Sequence, residues 1–448
     1  MAEQQKNNLQ QTAERIKEST SKLSKFGGFD LVSTTVEGAQ NLNPGKKALK
    51  NIFLSEDTYK NDRADLKKRL ELWIGLLESA DNTADMVSGA AEKVGTVSKL
   101  LNKNVKKALD ATGEIEKSYR TVAMFYKNTG SAKVKNVNLV NAELDQISDL
   151  DNTVFFDHIN DELKQNFDRL DLSRNYSLIV LPGYLGNNAV LNKWAQAAYE
   201  SKVMMVTDFR DLEAPDDVMA LFESAKHSGS DTYRGNVMMT CNYLVGRKKE
   251  EELGEEEHLF IPPSTALAGR LHAGKVSQPS AGYKYGGLNE VSEVRFDLRQ
   301  SEISDIEKLG LVPMVSEFGK VMAFSSKTLF NGDNIGLQTY SVVRTFDHVA
   351  KSLCDYLNRM TFQNFNVKSK NAIERQIIKY LEGIKGSNKL IEKFKIMKFE
   401  QDKNQKDKIY LDIHIKPFFP AKNFVIKLDG TQGDDPDSTD WNSEYDEE

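Results

Sequence analysis

The residue pattern closest to a known chemical motif is Gly269-Arg-Leu-His-Ala-Gly274-Lys275-Val276. Its spacing matches the phosphate-binding loop G-x-x-x-x-G-K-[ST], in which backbone N–H groups and the lysine hold phosphates and the last hydroxyl binds Mg²⁺. Val276 stands where that hydroxyl is required, no suitable apolar strand leads into the motif, and no clear helix follows it. A nucleotide-binding α/β enzyme that uses Gly269 to Lys275 is therefore the weaker interpretation.

Histidine, cysteine and acidic side chains are the other candidates for chemistry. None of the histidines has the spacing H-x-x-x-H or H-E-x-x-H of a zinc site, and no G-x-S-x-G nucleophile motif is present. The segment Gly183-Tyr-Leu-Gly186 is better explained as an ordinary strand-to-helix turn than as a ligand-binding turn. The acids best placed to cluster are typical of solvated surface charge: Asp208, Asp211, Asp216 and Asp217. We predict no enzymatic activity, cofactor or metal.

Composition is that of an ordinary soluble protein. The chain has 448 residues, which is enough for two or three domains with a sizeable core. Its residues are 39% hydrophobic and 28% charged, as is usual for soluble proteins. No apolar run approaches the roughly 20 residues that a membrane helix needs, and the N-terminus has no apolar signal segment. Cys241 and Cys354 are the only cysteines, which excludes a disulfide scaffold. We therefore expect a cytoplasmic protein without direct membrane insertion.

Net charge is −6, and it is unevenly distributed. Nine acidic residues and no Lys or Arg lie from Asp429 to the end, so the rest of the chain is slightly basic. The lysines are dispersed among acids, which indicates no nucleic-acid surface. We expect the acidic tail to be disordered, and we expect the charge run at 246–258 to be a solvated loop.

Two N-terminal segments stand apart from any predicted core. Residues 3–25 predict an isolated helix with one thin apolar stripe of Leu9, Ala13, Ile16, Thr20 and Leu23. That helix is either a frayed terminus or a handle that docks into a partner groove. Residues 29–36 predict a short strand far from any sheet, with Phe29, Leu31, Val32 and Val36 as its apolar positions.

The middle of the chain changes from helical to mixed character. Apolar periodicity predicts three helices between residues 56 and 128, arranged as a hairpin or bundle. From Val134, strands alternate with helices, which predicts a layered α/β domain. The predicted strands are Val134 to Val140, Tyr176 to Pro182, Val203 to Thr207, Val237 to Tyr243, Val291 to Leu298 and Met322 to Ser325. The predicted helices are Ala189 to Ser201, Asp216 to Ala225, Ser301 to Leu309, a long one within Tyr340 to Phe365, and Ser369 to Ile384.

The C-terminal part predicts a small sheet with open edges. Alternation places Ile409, Leu411, Ile413 and Ile415 on one face of a strand. A stiff loop containing two prolines follows, and a second alternating segment contains Phe424, Ile426 and Leu428. A third strand is predicted at Lys393 to Glu400. Because a free edge must be covered or paired, we expect strands from neighbouring subunits there.

Four stretches together resemble the large sheath subunit of type VI secretion systems (the TssC/VipB family), which is related to contractile phage-tail sheaths. Ile115 to Ile147 resembles that family's segment in which a Trp-Arg-Gly helix leads to a strand. Ser301 to Met314 resembles its acidic helix followed by Leu-Gly-Phe-x-Pro-Leu, and Thr345 to Phe365 its Arg-Phe-Ala-His-Tyr helix. Ile409 to Leu428 resembles its closing strand pair. The departures are Tyr119-Arg120-Thr121 for Trp-Arg-Gly and Lys416-Pro417-Phe418 for Arg-Pro-His, so the chain would be a divergent member.

The resemblance implies a structural protein of a cytoplasmic contractile tubule that drives secretion. Its partners would be a small sheath subunit (TssB/VipA-like), further copies of itself, an inner tube (Hcp-like), a baseplate and a AAA+ unfoldase (ClpV-like). Strands would be exchanged in a C-terminal sheet, and the residue 3–25 helix would be the unfoldase handle. A phage-tail-like contractile injection sheath is the alternative with the same mechanics.

The expected fold class is α+β or α/β, with a helical N-terminal region, a layered α/β middle and a C-terminal sheath domain that ends in a strand-exchanged sheet. The expected divisions are 1–54 for the N-terminal helix and donated strand, 55–130 for the helical region, 131–290 for the α/β domain, 291–428 for the sheath domain and 429–448 for the tail.

Overall fold

The computed structural model describes residues 52–79, 81–130, 134–432, 439 and 441–445. The predicted handle helix (Leu9, Ala13, Ile16, Leu23) and the predicted donated strand (Phe29, Leu31, Val32, Val36) lie outside these residues. The chain divides into two compact units, Met1–Asp110 with Glu252–Gly254, and the remainder. The division falls at Asp110, within a long helix.

The helices and strands have the following bounds. The α-helices are α1 Lys60–Glu78, α2 Thr83–Asn128, α3 Leu144–Ser148, α4 Val154–Phe167, α5 Asn188–Glu200, α6 Pro215–Ala225, α7 Ser264–Ala273, α8 Gly282–Tyr285, α9 Gln300–Lys308, α10 Ile335–Gln338, α11 Tyr340–Asn358 and α12 Val367–Ile384. The strands are β1 Leu178–Leu181, β2 Met204–Asp208, β3 Val237–Cys241, β4 Leu244–Arg247, β5 Leu259–Ile261, β6 Leu311–Glu317, β7 Lys320–Ala323, β8 Ile391–Gln401, β9 Ile409–Pro417, β10 Ile426–Gly430 and β11 Trp441–Tyr445.

The helical region contains fewer and longer helices than predicted. The second and third predicted helices form one helix, α2, of 46 residues. No proline interrupts it, and the space around Gly95 and Gly113 is open, so the helix continues through both glycines. Phe53 and Leu66 are buried in a small cluster of the first unit, together with Tyr59, Leu70 and Trp73.

The second unit is built on a five-stranded sheet in the order β1-β2-β3-β6-β7. The first four strands are parallel, and β7 pairs antiparallel with β6. Short apolar runs form these strands because both faces of the sheet are covered, as in parallel sheets generally. Met205 faces one core cluster, whereas Met204 and Val206 face the other. The fold is therefore a helix–sheet–helix sandwich, which confirms the predicted layered α/β middle.

The helices lie on both faces of this sheet. Residues of α5, α6 and α9 join the cluster on one face, and residues of α7 and α11 join the cluster on the other. Trp194 on α5 is 1% exposed and donates its indole N–H to the Ile147 carbonyl oxygen at 3.0 Å. This hydrogen bond satisfies the one polar atom of a large core side chain, as buried tryptophan requires.

Two strand predictions in the second unit are wrong. Residues 134–140 form no strand, and their side chains are mostly exposed. Residues 291–298 contribute only an isolated bridge between Leu244 and Val294. Conversely, the central strand β6 was missed, because Pro313 normally argues against a central strand. Apolar periodicity alone therefore does not predict strands whose formation depends on pairing with distant segments.

The charge run at 246–258 is more ordered than a solvated loop. Arg247, which ends β4, forms ion pairs with Glu116 at 3.0 Å and Glu255 at 2.7 Å, and all three side chains are largely shielded from solvent. Burial raises the pKa of Glu116, but Arg120 and Arg247 outweigh it and hold that pKa below its usual value. The run thus contains a structural ion-pair network in the second unit.

The C-terminal part has its own core. Val349 and Leu353 of α11 pack with Ile377 and Leu381 of α12 against the apolar face of the β8–β9 sheet. β8 and β9 pair antiparallel from Ile391↔Pro417 to Gln401↔Ile409. This confirms the predicted strands at Lys393 to Glu400 and at Ile409 onward, in a small C-terminal antiparallel sheet.

The end of the chain differs from the prediction in two respects. β10, which contains Ile426 and Leu428, pairs with β11 rather than with β9. The acidic tail was expected to be disordered, but its residues Trp441–Tyr445 form β11. The pattern of alternating apolar residues identified β10 as a strand, but a local pattern does not specify which strand it pairs with.

Candidate assembly surface

The β8–β9 sheet presents one apolar face to the subunit's own core. Ile413 lies opposite Ile396, Ile415 opposite Phe394, and Leu411 opposite Phe399. These side chains belong to the same cluster as α11 and α12. The cross-strand apolar pairs therefore hold the sheet onto the subunit and fix its register. Leu411, Ile413 and Ile415, predicted as interface positions, direct their side chains inward, and Ile409 at the end of β9 is exposed.

The other face of the sheet is polar. Lys416 forms an ion pair with Glu392 at 2.6 Å, and the Nζ atom of Lys398 lies 4.7 Å from the centre of the Tyr410 ring. Such exposed pairs contribute little to stability. This face is suited to contact with solvent. The apolar side chains of the sheet that pack in the core lie on the opposite, inner face.

The strand edges are the unusual feature of this sheet. In the part of the chain that the structure describes, β8 and β9 pair only with each other, apart from an isolated bridge between Ile391 and Lys385. Backbone N–H and C=O groups of alternate residues therefore point away from the pair on both sides. Met397, at a bulge in β8, is 60% exposed. Free edges of this kind accept an added strand from another chain.

The β10–β11 hairpin is a second unpartnered element. Ile426 and Leu428 on β10 and Trp441 on β11 are all more than half exposed. Phe424, which was predicted to belong to this strand, lies just before β10 and is exposed as well. A two-stranded hairpin with three large exposed apolar side chains is marginal in water, so it gains stability by docking.

One ion pair anchors the segment between β9 and β10. Lys422 lies 2.6 Å from the carboxylate of Glu307 on α9, and that carboxylate also accepts a hydrogen bond from Ser325 at 3.2 Å. Glu307 is buried, so its charge requires a partner. No local sequence pattern predicts this contact, because Lys422 and Glu307 are far apart along the chain.

Asp208, at the end of β2, is the most strongly perturbed acid. Its carboxylate accepts hydrogen bonds from the Gly183 N–H and the Ser264 N–H, each at 2.8 Å, and from the hydroxyls of Ser264 and Thr240. Burial raises its pKa to about 6 despite these donors. The donors come from the loop after β1, from β3 and from the start of α7, so Asp208 joins four elements. It was predicted to be solvated surface charge, and that prediction is wrong.

The phosphate-loop interpretation does not fit the structure. Gly269 to Ala273 form part of α7 and are not a loop. A Cβ atom on Gly269 would lie 2.4 Å from the Phe125 carbonyl oxygen, so this glycine allows close packing between α7 and α2. The ammonium group of Lys275 donates to the carbonyl oxygen of Asn388 at 2.8 Å. Both residues therefore have structural roles.

Among the described residues, no cluster of three or more His, Cys, Asp or Glu side chains has metal-binding geometry. No helix among them is both long enough and apolar enough to cross a membrane.

The fold is similar to that of chains in solved structures. A chain of the cryo-EM structure of the anti-feeding prophage (AFP) baseplate matches with a TM-score of 0.50 and 17% identity, covering 70% of this chain and 80% of that chain. A chain of the AFP helical sheath in the contracted state matches with a TM-score of 0.47 and 17% identity, covering 70% and 81%. No curated protein has a significant match to the sequence. The first likeness shows that the two chains share a fold.

Three family models match the chain in order. The TssC/VipB-like N-terminal region matches residues 16–105, the type VI secretion system TssC/VipB central domain matches 107–331, and the TssC/VipB-like C-terminal domain matches 339–447. The chain belongs to the TssC/VipB family. It is a structural subunit of a contractile sheath, and its relatives are sheath proteins rather than enzymes.

Proposed function

We propose that this chain polymerises into a helical contractile sheath through strands exchanged at the edges of the β8–β9 sheet. The observation that carries the proposal is that no strand among the described residues pairs with the outer edges of β8 and β9, while the apolar face of this sheet already packs against its own core. An incoming strand would add main-chain hydrogen bonds without disturbing that core. Each link would be flexible outside its strand, so neighbouring subunits could rotate and stay connected.

Two segments are the candidate donor strands. Residues 29–36, with Phe29, Leu31, Val32 and Val36, supply one candidate from the sequence. The β10–β11 hairpin supplies another, because its exposed Ile426, Leu428 and Trp441 need cover. We assign these two segments to neighbouring subunits.

The remaining partners follow from the family. A small sheath subunit (TssB/VipA-like) would pair with this chain, and the pair would surround an inner tube (Hcp-like) on a baseplate in the cytoplasm. Energy would be stored in the extended assembly and released by subunit rotation, so no catalytic residue is needed. A AAA+ unfoldase (ClpV-like) would engage the residue 3–25 helix through Leu9, Ala13, Ile16 and Leu23. The functional regions of the subunit would be residues 1–54, 55–130, 131–290, 291–428 and 429–448.

A phage-tail-like injection sheath is the second candidate. The three matching family models are TssC/VipB models, which favours a secretion sheath.

Deletion of residues 29–36 tests strand donation. The variant should remain folded and bound to the small subunit but form no tubules when viewed by negative-stain electron microscopy. Tubules of normal length and diameter from this deletion would refute donation by that segment.

A further inference from the structure

The first half of α2 carries a row of apolar side chains that nothing in the described chain covers. These side chains are between 37 and 64% exposed, and they are Val87, Val94, Val97, Leu100, Leu101 and Val105. None of them belongs to a core cluster of the described residues. Single exposed apolar residues are common, but a contiguous row on one helix indicates a docking surface.

The spacing of the row indicates what kind of element docks. Val87, Val94 and Leu101 are seven residues apart, and Ala90 and Val97 follow the first two by three. This is the a/d repeat of a helix that packs along a second helix, with Asn104 at the next d position. Val and Leu form the row without Trp or Phe, whereas helices that lie on membranes usually place such aromatic side chains on their apolar face. The occupant is therefore a helix.

The charges around the row indicate what kind of helix binds there. Five lysines and no acidic residue occur between Lys93 and Leu109. Lys106 donates to the Gly254 carbonyl oxygen at 2.8 Å. The other four take part in no ion pair among the described residues: Lys93, Lys99, Lys103 and Lys107. Lys93 and Lys107 are at g positions, beside the seam. Two copies of this surface would repel each other, so charge complementarity selects an acidic partner.

We propose that residues 87–107 of α2 bind an acidic amphipathic helix of a different polypeptide in the assembled sheath. The partner helix presents apolar residues at its own a and d positions to Val94, Val97 and Leu101. Its acidic flank lies against Lys93 and Lys107. The proposal rests on the proposed assembly with a second kind of subunit, but it does not depend on strand exchange.

Photo-cross-linking in the co-purified assembly tests this directly. A benzophenone amino acid replaces Val97 on the seam or, as the matched control, Lys99 on the opposite side of the helix, and the joined peptide is sequenced by mass spectrometry. The Val97 position should cross-link to an acidic segment with heptad apolar spacing, and the Lys99 position should not. A lipid adduct, a second α2, a basic segment or equal products from both positions would overturn the proposal.

A charge-reversal series provides the second readout. Lys93→Glu with Lys107→Glu should lower the Val97 cross-linking yield about tenfold or more, which corresponds to about 1.4 kcal/mol of lost affinity. Lys68→Glu, an equivalent change at an exposed position of α1, should leave the yield unchanged. An unchanged yield in the double variant would contradict the acidic partner.

If no assembly with a second subunit is obtained, the proposed function fails, and the docking surface is tested separately. A designed four-heptad peptide with Leu at a and d and Glu at e and g is titrated against the full chain by fluorescence anisotropy. It should bind, and the same peptide with Lys at e and g should not. Equal binding of both peptides, or no binding of either, would refute the surface.

Discussion

Ile413 of β9 lies directly opposite Ile396 of β8, and both side chains face the core formed with α11 and α12. This pairing fixes which face of the sheet belongs to the subunit. The proposed assembly by strand exchange would use the backbone edges of β8 and β9, because their apolar face is occupied. The predicted interface positions Leu411, Ile413 and Ile415 lie in the expected strand, and their side chains pack against the subunit's own core.

Proline replacements on β9 should distinguish the role of its backbone edges from the role of its core-facing side chains. Along an antiparallel strand, adjacent residues direct their N–H groups to opposite sides, so Asp412→Pro and Ile413→Pro each remove a donor from a different edge. Ile413→Pro also removes a core side chain, so we expect both variants to lower the thermal midpoint. Ile413→Ala loses the same side chain but keeps its N–H, so it is the control and should form the tubules that Ile413→Pro does not. Thermal melts and electron microscopy of the three variants provide the comparison. Tubules from both proline variants would contradict edge pairing by β9.

The Lys422–Glu307 ion pair should fix the segment between β9 and β10. Lys422→Met leaves the buried Glu307 carboxylate with Ser325 as its side-chain partner, so we expect faster proteolysis and hydrogen exchange in residues 418–428. Lys416→Met breaks the exposed pair with Glu392 and is the matched control, with an expected effect below about 1 kcal/mol. Equal protection in the two variants would contradict the anchor.

Asp208→Asn should destabilise the second unit and remove a pH dependence. The amide cannot accept from all four donors, and the expected loss is about 1–3 kcal/mol. Because the pKa of Asp208 is raised to about 6, its titration contributes stability that is fully present below its unfolded pKa near 4 and is lost as the pH rises through 6. The advantage of the native protein over Asp208→Asn should therefore shrink between pH 4 and pH 7.

Chemical denaturation of both proteins at several pH values measures this difference. Asp216→Asn, an exposed carboxyl in the first turn of α6, is the control and should show little change. A difference that grows with pH would mean that the burial of Asp208 does not disfavour its charged form.

Two glycine substitutions should have opposite effects. Gly269→Ala places a Cβ atom 2.4 Å from the Phe125 carbonyl oxygen and 2.8 Å from the Asn128 Cβ atom, so we expect a loss of about 1–3 kcal/mol. Gly95→Ala meets no atom within 4 Å and should stabilise α2 by about 0.5–1 kcal/mol. Urea unfolding monitored by circular dichroism distinguishes them. A neutral Gly269→Ala would contradict close packing of α7 on α2.

Nucleotide binding is tested with Lys275. Because its ammonium group donates to the Asn388 carbonyl oxygen, ATP with Mg²⁺ should not raise the thermal midpoint of the native chain or of Lys275→Ala. A nucleotide-dependent rise that Lys275→Ala abolishes would revive the enzyme interpretation.

The sequence predicted those elements whose signal is local. Continuous apolar runs identified β2 and β3, because both faces of that sheet are buried, and apolar periodicity identified α5, α11 and α12. Strict alternation identified β9. Each of these patterns is set by burial of the element itself, so a short window of sequence contains it.

The errors concern features that depend on distant residues. Pro313 argues against a central strand, so β6 was not predicted. Its position between β3 and β7 depends on pairing with both strands. The pairing of β10 with β11 and the contact of Lys422 with Glu307 join segments that no local pattern connects. The buried role of Asp208 likewise requires donors from three other segments: the loop after β1, β3 and α7. The family resemblance identified the class of protein because it used the order of several segments together.

The most direct measurement is cryo-electron microscopy of this chain co-expressed with the proposed small sheath subunit (TssB/VipA-like). The account predicts hollow tubules in which a strand from a neighbouring subunit pairs with the free edge of β8 or β9. Discrete particles without tubules, or tubules in which both edges face solvent, would contradict assembly by strand exchange.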